Sequence, residues 1–177
     1  LIDEIAELVR ARYTILYLLS WEEERTERVL GQVAEKLSRD MLVMAAGAPM
    51  GEDEIIPGPL ELLDRLEAHE GPVVCLLKDF HPHMEDPIVI RRLRDLEGRM
   101  AEQGKTLLLL SPVFRVPREL EKDVRVVDIP LPDIGEVAQL LAVVIRSRKL
   151  KIDRDLFEKF VKASLGLTEK ELKRVYT

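Results

Sequence analysis

Residues 71–86 read GPVVCLLKDFHPHMED, five apolar residues in a row from Val73 to Leu77 followed at once by Lys78-Asp79. A run of that length, β-branched at its start and bounded by Gly-Pro and polar residues, predicts a strand buried on both faces. Ligands of open α/β sheets sit outside the carboxyl ends of such strands. Any chemistry in this chain is therefore expected near Asp79, with Val73–Lys78 at the centre of the sheet.

The flanking sequence extends the pattern. Ile2, Ile5, Ala6 and Val9 recur at helical spacing, and a first buried strand spans Tyr13 to Leu19. Ser20 with Glu23 reads as a capping box opening a helix that presents Val29, Leu30, Val33, Ala34 and Leu37. A second strand covers Met41 to Ala45. The segment 46–58, with three Gly and two Pro, reads as a mobile loop. Pro59 begins a helix with Leu60, Leu63 and Leu66 inward. Asp86-Pro87 caps a longer one packing Val89, Ile90, Leu93, Leu96 and Met100. Strands follow at 106–110 and 125–129, with a short helical turn at 118–122 between them. Asp133 with Glu136, Asp153, and Thr168 with Glu171 start three further helices, Gly166 ending the second of these. Five short apolar strands alternating with helices predict an α/β fold, a mainly parallel five-stranded sheet with helices on both faces. Residues 1–132 form the sheet domain and 133–177 a helical appendage.

The 177 residues fit one domain with a small addition, and 46% hydrophobic content fills a proper core. A net charge of −6 argues against a general nucleic-acid binder. A single cysteine, Cys75, excludes an internal disulfide. Without a signal peptide or a long apolar run, the chain reads as cytoplasmic and off the membrane. Leu1 opens inside a helical pattern and Thr177 stops at a short helix, as expected of a fragment of something longer.

In this order of elements the landmarks resemble the AAA+ ATPase core, a three-layer P-loop-NTPase-like fold. Val74–Phe80 lies where that family has its Asp-Glu strand, and Leu107–Ser111 looks like its sensor strand. Residues 116–120 (VPREL) and 129–133 (IPLPD) are similar to the segment leading into the helical lid, and 152–176 to the start of that lid. Residues 10–13 (RARY), 20–25 (SWEEER) and 78–82 (KDFHP) narrow the likeness to plastid- and cyanobacterial-type AAA ATPases, in which a degenerate ATPase-like domain precedes an active one. The resemblance implies a partner role toward neighbouring AAA+ domains or subunits, in a homo-oligomer of the full-length protein, or toward an unknown protein target. It implies no cofactor in this domain, with ATP and Mg²⁺ bound only in a downstream module.

The departures from the family carry that implication. A phosphate loop needs glycines to cradle phosphates, a Lys for the β/γ-phosphates and a hydroxyl for Mg²⁺. After Leu19 this chain has Ser20-Trp21-Glu22-Glu23-Glu24-Arg25, which places carboxylates at the helix end an anion would use. In one register Lys78 replaces the Mg²⁺-holding Asp and Asp79 the catalytic Glu; shifted by one, Phe80 falls at the base. Neither register supplies both roles. Ser111 passes for a sensor residue, and no Arg lies at Lys122-Asp123, although Arg118 is close. Ser20, Glu22, Glu23, Lys78, Asp79 and Ser111 thus define a vestigial nucleotide site without catalytic or metal-binding residues, in which Lys78 is expected to pair with Glu22, Glu23 or Glu24.

Other readings stand beside this one. Asp79 is a metal ligand, a phospho-acceptor, or a cap on the turn at His81-Pro82. His81, His83, Glu85 and Asp86 have a metal-binding composition without a metal-binding spacing. Arg91, Arg92, Arg94 and Arg99 mark either a nucleic-acid face or a helix ion-paired with its interspersed acids. Trp21 is a staple for its helix or an exposed contact. As a class apart, a signalling receiver casts Glu22-Glu23, Asp79 and Ser111 as its acids, phospho-acceptor and hydroxyl, but the fifth strand ends without the required Lys.

Overall fold

The computed structural model describes residues 1–50 and 55–176. The chain divides into two compact units, Leu1–Ile129 and Pro130–Thr177. In the first, the strands are β1 (Ile15–Leu19), β2 (Asp40–Ala45), β3 (Val73–Lys78), β4 (Thr106–Ser111) and β5 (Val124–Asp128). They form one all-parallel sheet in the order β2-β3-β4-β1-β5. The helices are α1 (Ile2–Arg10), α2 (Glu23–Leu37), α3 (Pro59–Ala68) and α4 (Pro87–Gln103), with short 3₁₀ turns at His81–Glu85 and Arg118–Leu120.

Parallel strands need crossovers, and the crossovers cover both faces, so every inner strand is buried on both sides. The period of two sorts the side chains. Ile15, Tyr17, Cys75, Leu77, Leu107 and Leu109 face Leu62, Leu63 and Leu66 of α3 and Val89, Leu93, Leu96 and Met100 of α4. Leu16, Leu18, Val74, Leu76, Leu108 and Leu110 face Ile5, Ala6 and Val9 of α1 and Leu30, Val33 and Ala34 of α2. The result is the three-layer P-loop-NTPase-like fold. Burial of Cys75 pushes its thiol up to about 12, so it is a core residue rather than a nucleophile.

The structure corrects several sequence expectations. β3 is buried from Val73 to Leu77 but not central; β4 holds the middle, because both helical layers extend over β3 as far as the edge strand β2. Ser20 does not cap α2, which starts at Glu23. Its amide is still on the sheet ladder, donating to the Ser111 carbonyl, and its Oγ accepts from the Glu22 amide, turning the chain before the helix. On α3 it is Leu62 that is buried, while Leu60 is exposed. Of the loop expected at 46–58, residues 51–54 lie outside those described, as does Thr177. The Asp86 cap holds, its Oδ1 accepting from the Ile88 amide at 2.8 Å.

The second unit comprises α5 (Ile134–Ser147), α6 (Arg154–Ala163) and α7 (Glu169–Tyr176). Asp133 and Glu136 form the reciprocal capping box, and Asp153 accepts from the Leu156 amide. Thr168 Oγ1 accepts from the Glu171 amide while its own N–H and O–H donate to the Glu171 carboxylate, holding that acid below its ordinary range. Val137, Leu141, Val161 and Leu172 form the small core, with Phe157, Phe160 and Tyr176 against it. Leu156 is exposed, because α6 turns only Phe157, Phe160 and Val161 toward that core.

Candidate functional site

The carboxyl edge of the sheet gathers the residues singled out from the sequence. Leu19 is in register with Ser111 and with Asp128, and Lys78 with Leu110 and Ala45. Ser20, Lys78-Asp79 and Ser111 therefore follow adjacent or near-adjacent strands on one edge, with the start of α2 rising from it. This is the end of the strands at which ligands of open α/β sheets sit.

Lys78 is half-buried, and its ammonium donates to Glu27 Oε2 at 2.6 Å, with Glu23 Oε2 at 3.9 Å. Of the expected partners Glu22, Glu23 and Glu24 only Glu23 is within reach, and the main partner is Glu27, one helical turn beyond it and not among them. Glu22 is turned elsewhere. It is buried and its Oε2 lies 3.0 Å from Arg25 Nη1, with only 6% of either side chain exposed. The window Leu19–Thr26 has the length of a phosphate loop and ends in Arg-Thr where that loop has Lys-Ser/Thr, with Leu19 and Glu24 in the two glycine places. Arg25 spends its charge on Glu22, three residues back. The Thr26 hydroxyl is buried without a hydrogen-bond partner.

At the sensor position, Ser111 Oγ donates to the Val113 carbonyl at 2.9 Å and lies 3.0 Å from His81 Nδ1. A hydroxyl has one proton. The Val113 carbonyl and the His81 ring nitrogen both lie within reach of that one proton. Tyr17 from β1 donates to the same Val113 carbonyl and accepts from the Arg115 amide, pinning the segment that follows β4. Asp79 has a left-handed backbone, φ 54°, and is exposed; the 3₁₀ turn at His81 carries no side-chain cap, so Asp79 is not its capping residue.

Mg·ATP does not fit these residues. The loop has no glycine through which backbone N–H groups approach phosphate, its one cation is committed to a buried carboxylate, and the strand-end position holds an ammonium. Among the described residues, no three His, Cys, Asp or Glu side chains are grouped closely enough to hold a metal ion. Nor is any helix there long and apolar enough to cross a membrane. The α4 arginines are ion-paired: Arg91 with Asp95, Arg92 with Asp64 and Glu67, Arg94 with Asp123 and Arg99 with Glu67. Trp21 is 78% exposed, so it does not staple α2.

A strand order of β2-β3-β4-β1-β5 with this site at the carboxyl edge is that of the AAA+ superfamily, and a receiver is set aside, since its sheet runs 2-1-3-4-5. The model of the SpoVK-like AAA ATPase N-terminal domain matches residues 1–129, and the chain belongs to that family. It is 31% identical to the AAA domain-containing protein ycf46 of Trieres chinensis over 98% of its length, and 29% identical to that of Guillardia theta over 95%. It spans 36% and 35% of those proteins, about a third of each. Among solved structures it is similar to Thermotoga maritima RuvB, with a TM-score of 0.61 and 12% identity over 98% of this chain and 58% of RuvB. The replication initiator DnaA, bound to AMPPCP and single-stranded DNA, gives 0.59 and 13% over 99% of this chain and 57% of DnaA. These structural likenesses concern the fold alone.

Proposed function

We propose that this chain is a catalytically inert ATPase-like module at the amino-terminal part of a longer AAA ATPase, retained for assembly, regulation or target recruitment. The observation that carries the reading is the carboxyl edge itself, where Glu22–Arg25 and Lys78–Glu27 pair protein charges with protein charges. A nucleotide would have to break both pairs and desolvate its own phosphates against the freed carboxylates. Residues 133–177 are the start of a helical lid in this reading, and ATP and Mg²⁺ belong to a module further along the polypeptide. Neighbouring AAA+ domains of a homo-oligomer, or a protein target, are the partners. The full-length polypeptide tests this by nucleotide stoichiometry. Deleting residues 1–129 leaves the number of ATP molecules bound per subunit unchanged while altering assembly size or the regulation of hydrolysis; loss of one bound ATP per subunit contradicts inertness.

A further inference from the structure

At the opposite, amino-terminal edge of the sheet lies a cavity of about 180 Å³. Its lining includes Arg10 at the end of α1, Arg12 in the following turn, Arg39 just before β2, Lys105 and Thr106 at the start of β4, and Glu102 from α4. Three arginines, Arg10, Arg12 and Arg39, line it with one carboxylate residue, Glu102, while the Lys105 ammonium is turned to the Glu67 carbonyl, in a chain whose net charge is −6.

Elsewhere on the sheet unit arginines are mostly spoken for: Arg25, Arg65, Arg91, Arg92, Arg94, Arg99 and Arg115 each reach a carboxylate. Arg10, Arg12 and Arg39 form no salt bridge among the described residues. Arg39 is half-buried and points Nη1 at the Thr106 hydroxyl, 3.3 Å away. Lys105 is buried and donates to the Glu67 carbonyl at 2.6 Å. Burial lowers the pKa of Arg39, so its guanidinium gains from an added anion, whereas for Lys105 the nearby Glu67 charge opposes the effect of burial. The negative ends of α1, α2 and α4 account for one cation near each. They do not account for three arginines without a salt bridge around one concavity, nor for one of them held half-buried against a hydroxyl.

We infer that this cavity is a binding site for a small, multiply charged phosphate, free or carried on a small ester. Its volume is below the roughly 300–1,000 Å³ of clefts that bury drug-sized ligands, which suits such an anion and not a whole nucleotide. Guanidinium forks supply paired donors to phosphate oxygens, and Thr106 adds a hydroxyl. The site is independent of the inert cleft, since the two lie at opposite ends of the strands.

Titration calorimetry of the 177-residue chain with inorganic pyrophosphate, and in parallel with glycerol 3-phosphate, tests the assignment. One site per chain is expected for at least one of them, with affinity falling severalfold between 50 and 500 mM salt at an order-of-magnitude level. Arg10→Gln/Arg12→Gln, at exposed positions that leave the fold intact, is expected to weaken binding about tenfold or more, and Arg39→Gln further. Arg91→Gln/Arg94→Gln on α4 is the control and leaves the affinity unchanged. The proposal is overturned if neither probe binds, if the control weakens binding equally, or if only a single-stranded oligonucleotide binds.

Discussion

Lys78 Nζ stands 2.6 Å from Glu27 Oε2, so the end of β3 and the second turn of α2 are joined by an ion pair across the carboxyl edge of the sheet. Strand-end position 78 thus holds a cation that the protein itself neutralises.

The pair is partly shielded, with 17% of the Lys78 and 41% of the Glu27 side chain exposed, so its coupling is modest. A Lys78→Met, Glu27→Gln double-mutant cycle followed by urea unfolding is expected to give about 0.5–1 kcal/mol at low salt. In 1 M salt the coupling is expected to shrink toward zero. Equal stability of Lys78→Met and the parent at both salt concentrations would show that the pair contributes nothing.

Glu22–Arg25 is a different case because both members are buried. Arg25→Met takes the guanidinium away from a buried carboxylate, at an expected cost of about 3–5 kcal/mol. The Glu22→Leu/Arg25→Met double variant removes both charges and is expected to recover most of that loss. Denaturant midpoints of the three proteins decide it, and a double variant as unstable as Arg25→Met would contradict the account.

Much of the fold was legible because apolar runs and caps are local signals. Val73–Lys78, the Asp86-Pro87 cap and the Asp133–Glu136 box lie where the residues place them. The sheet order was not, since burial alone does not separate a middle strand from its neighbour; β4, rather than β3, is central. At the cleft the pairing of Lys78 with α2 was foreseeable from charge, but its choice of Glu27 was not. The helix begins at Glu23, two residues after the expected cap's first helical position, and that offset brings the next turn's acid to the lysine. Arg25 was overlooked because an Arg among three glutamates looks like surface. Its burial emerges only when α2 is laid on the sheet.

Cys75 contributes one alkaline pH dependence. Its folded pKa of about 12 lies above the unfolded thiol value near 8.5, so its stabilising contribution is full below that lower value. It is lost as pH rises toward 12, at up to about 1.4 kcal/mol per pH unit. Alkaline unfolding should be shallower for Cys75→Ala, once its lower starting stability is subtracted. Ellman's reagent at pH 8 should label the native protein slowly and the urea-unfolded chain at once. Rapid native labelling would mean that the thiol is accessible and the β3 packing wrong.

The most direct test of the central claim uses Trp21, the one tryptophan, exposed in the turn between β1 and α2 where a nucleotide's phosphates would lie. Trp21 emission is followed as Mg·ATP is raised to millimolar concentration; anion binding at the distant basic cavity leaves this signal unmoved. The account predicts no saturable change. A saturable change with a micromolar midpoint, lost on removal of Mg²⁺, would contradict it and make this cleft a working nucleotide site.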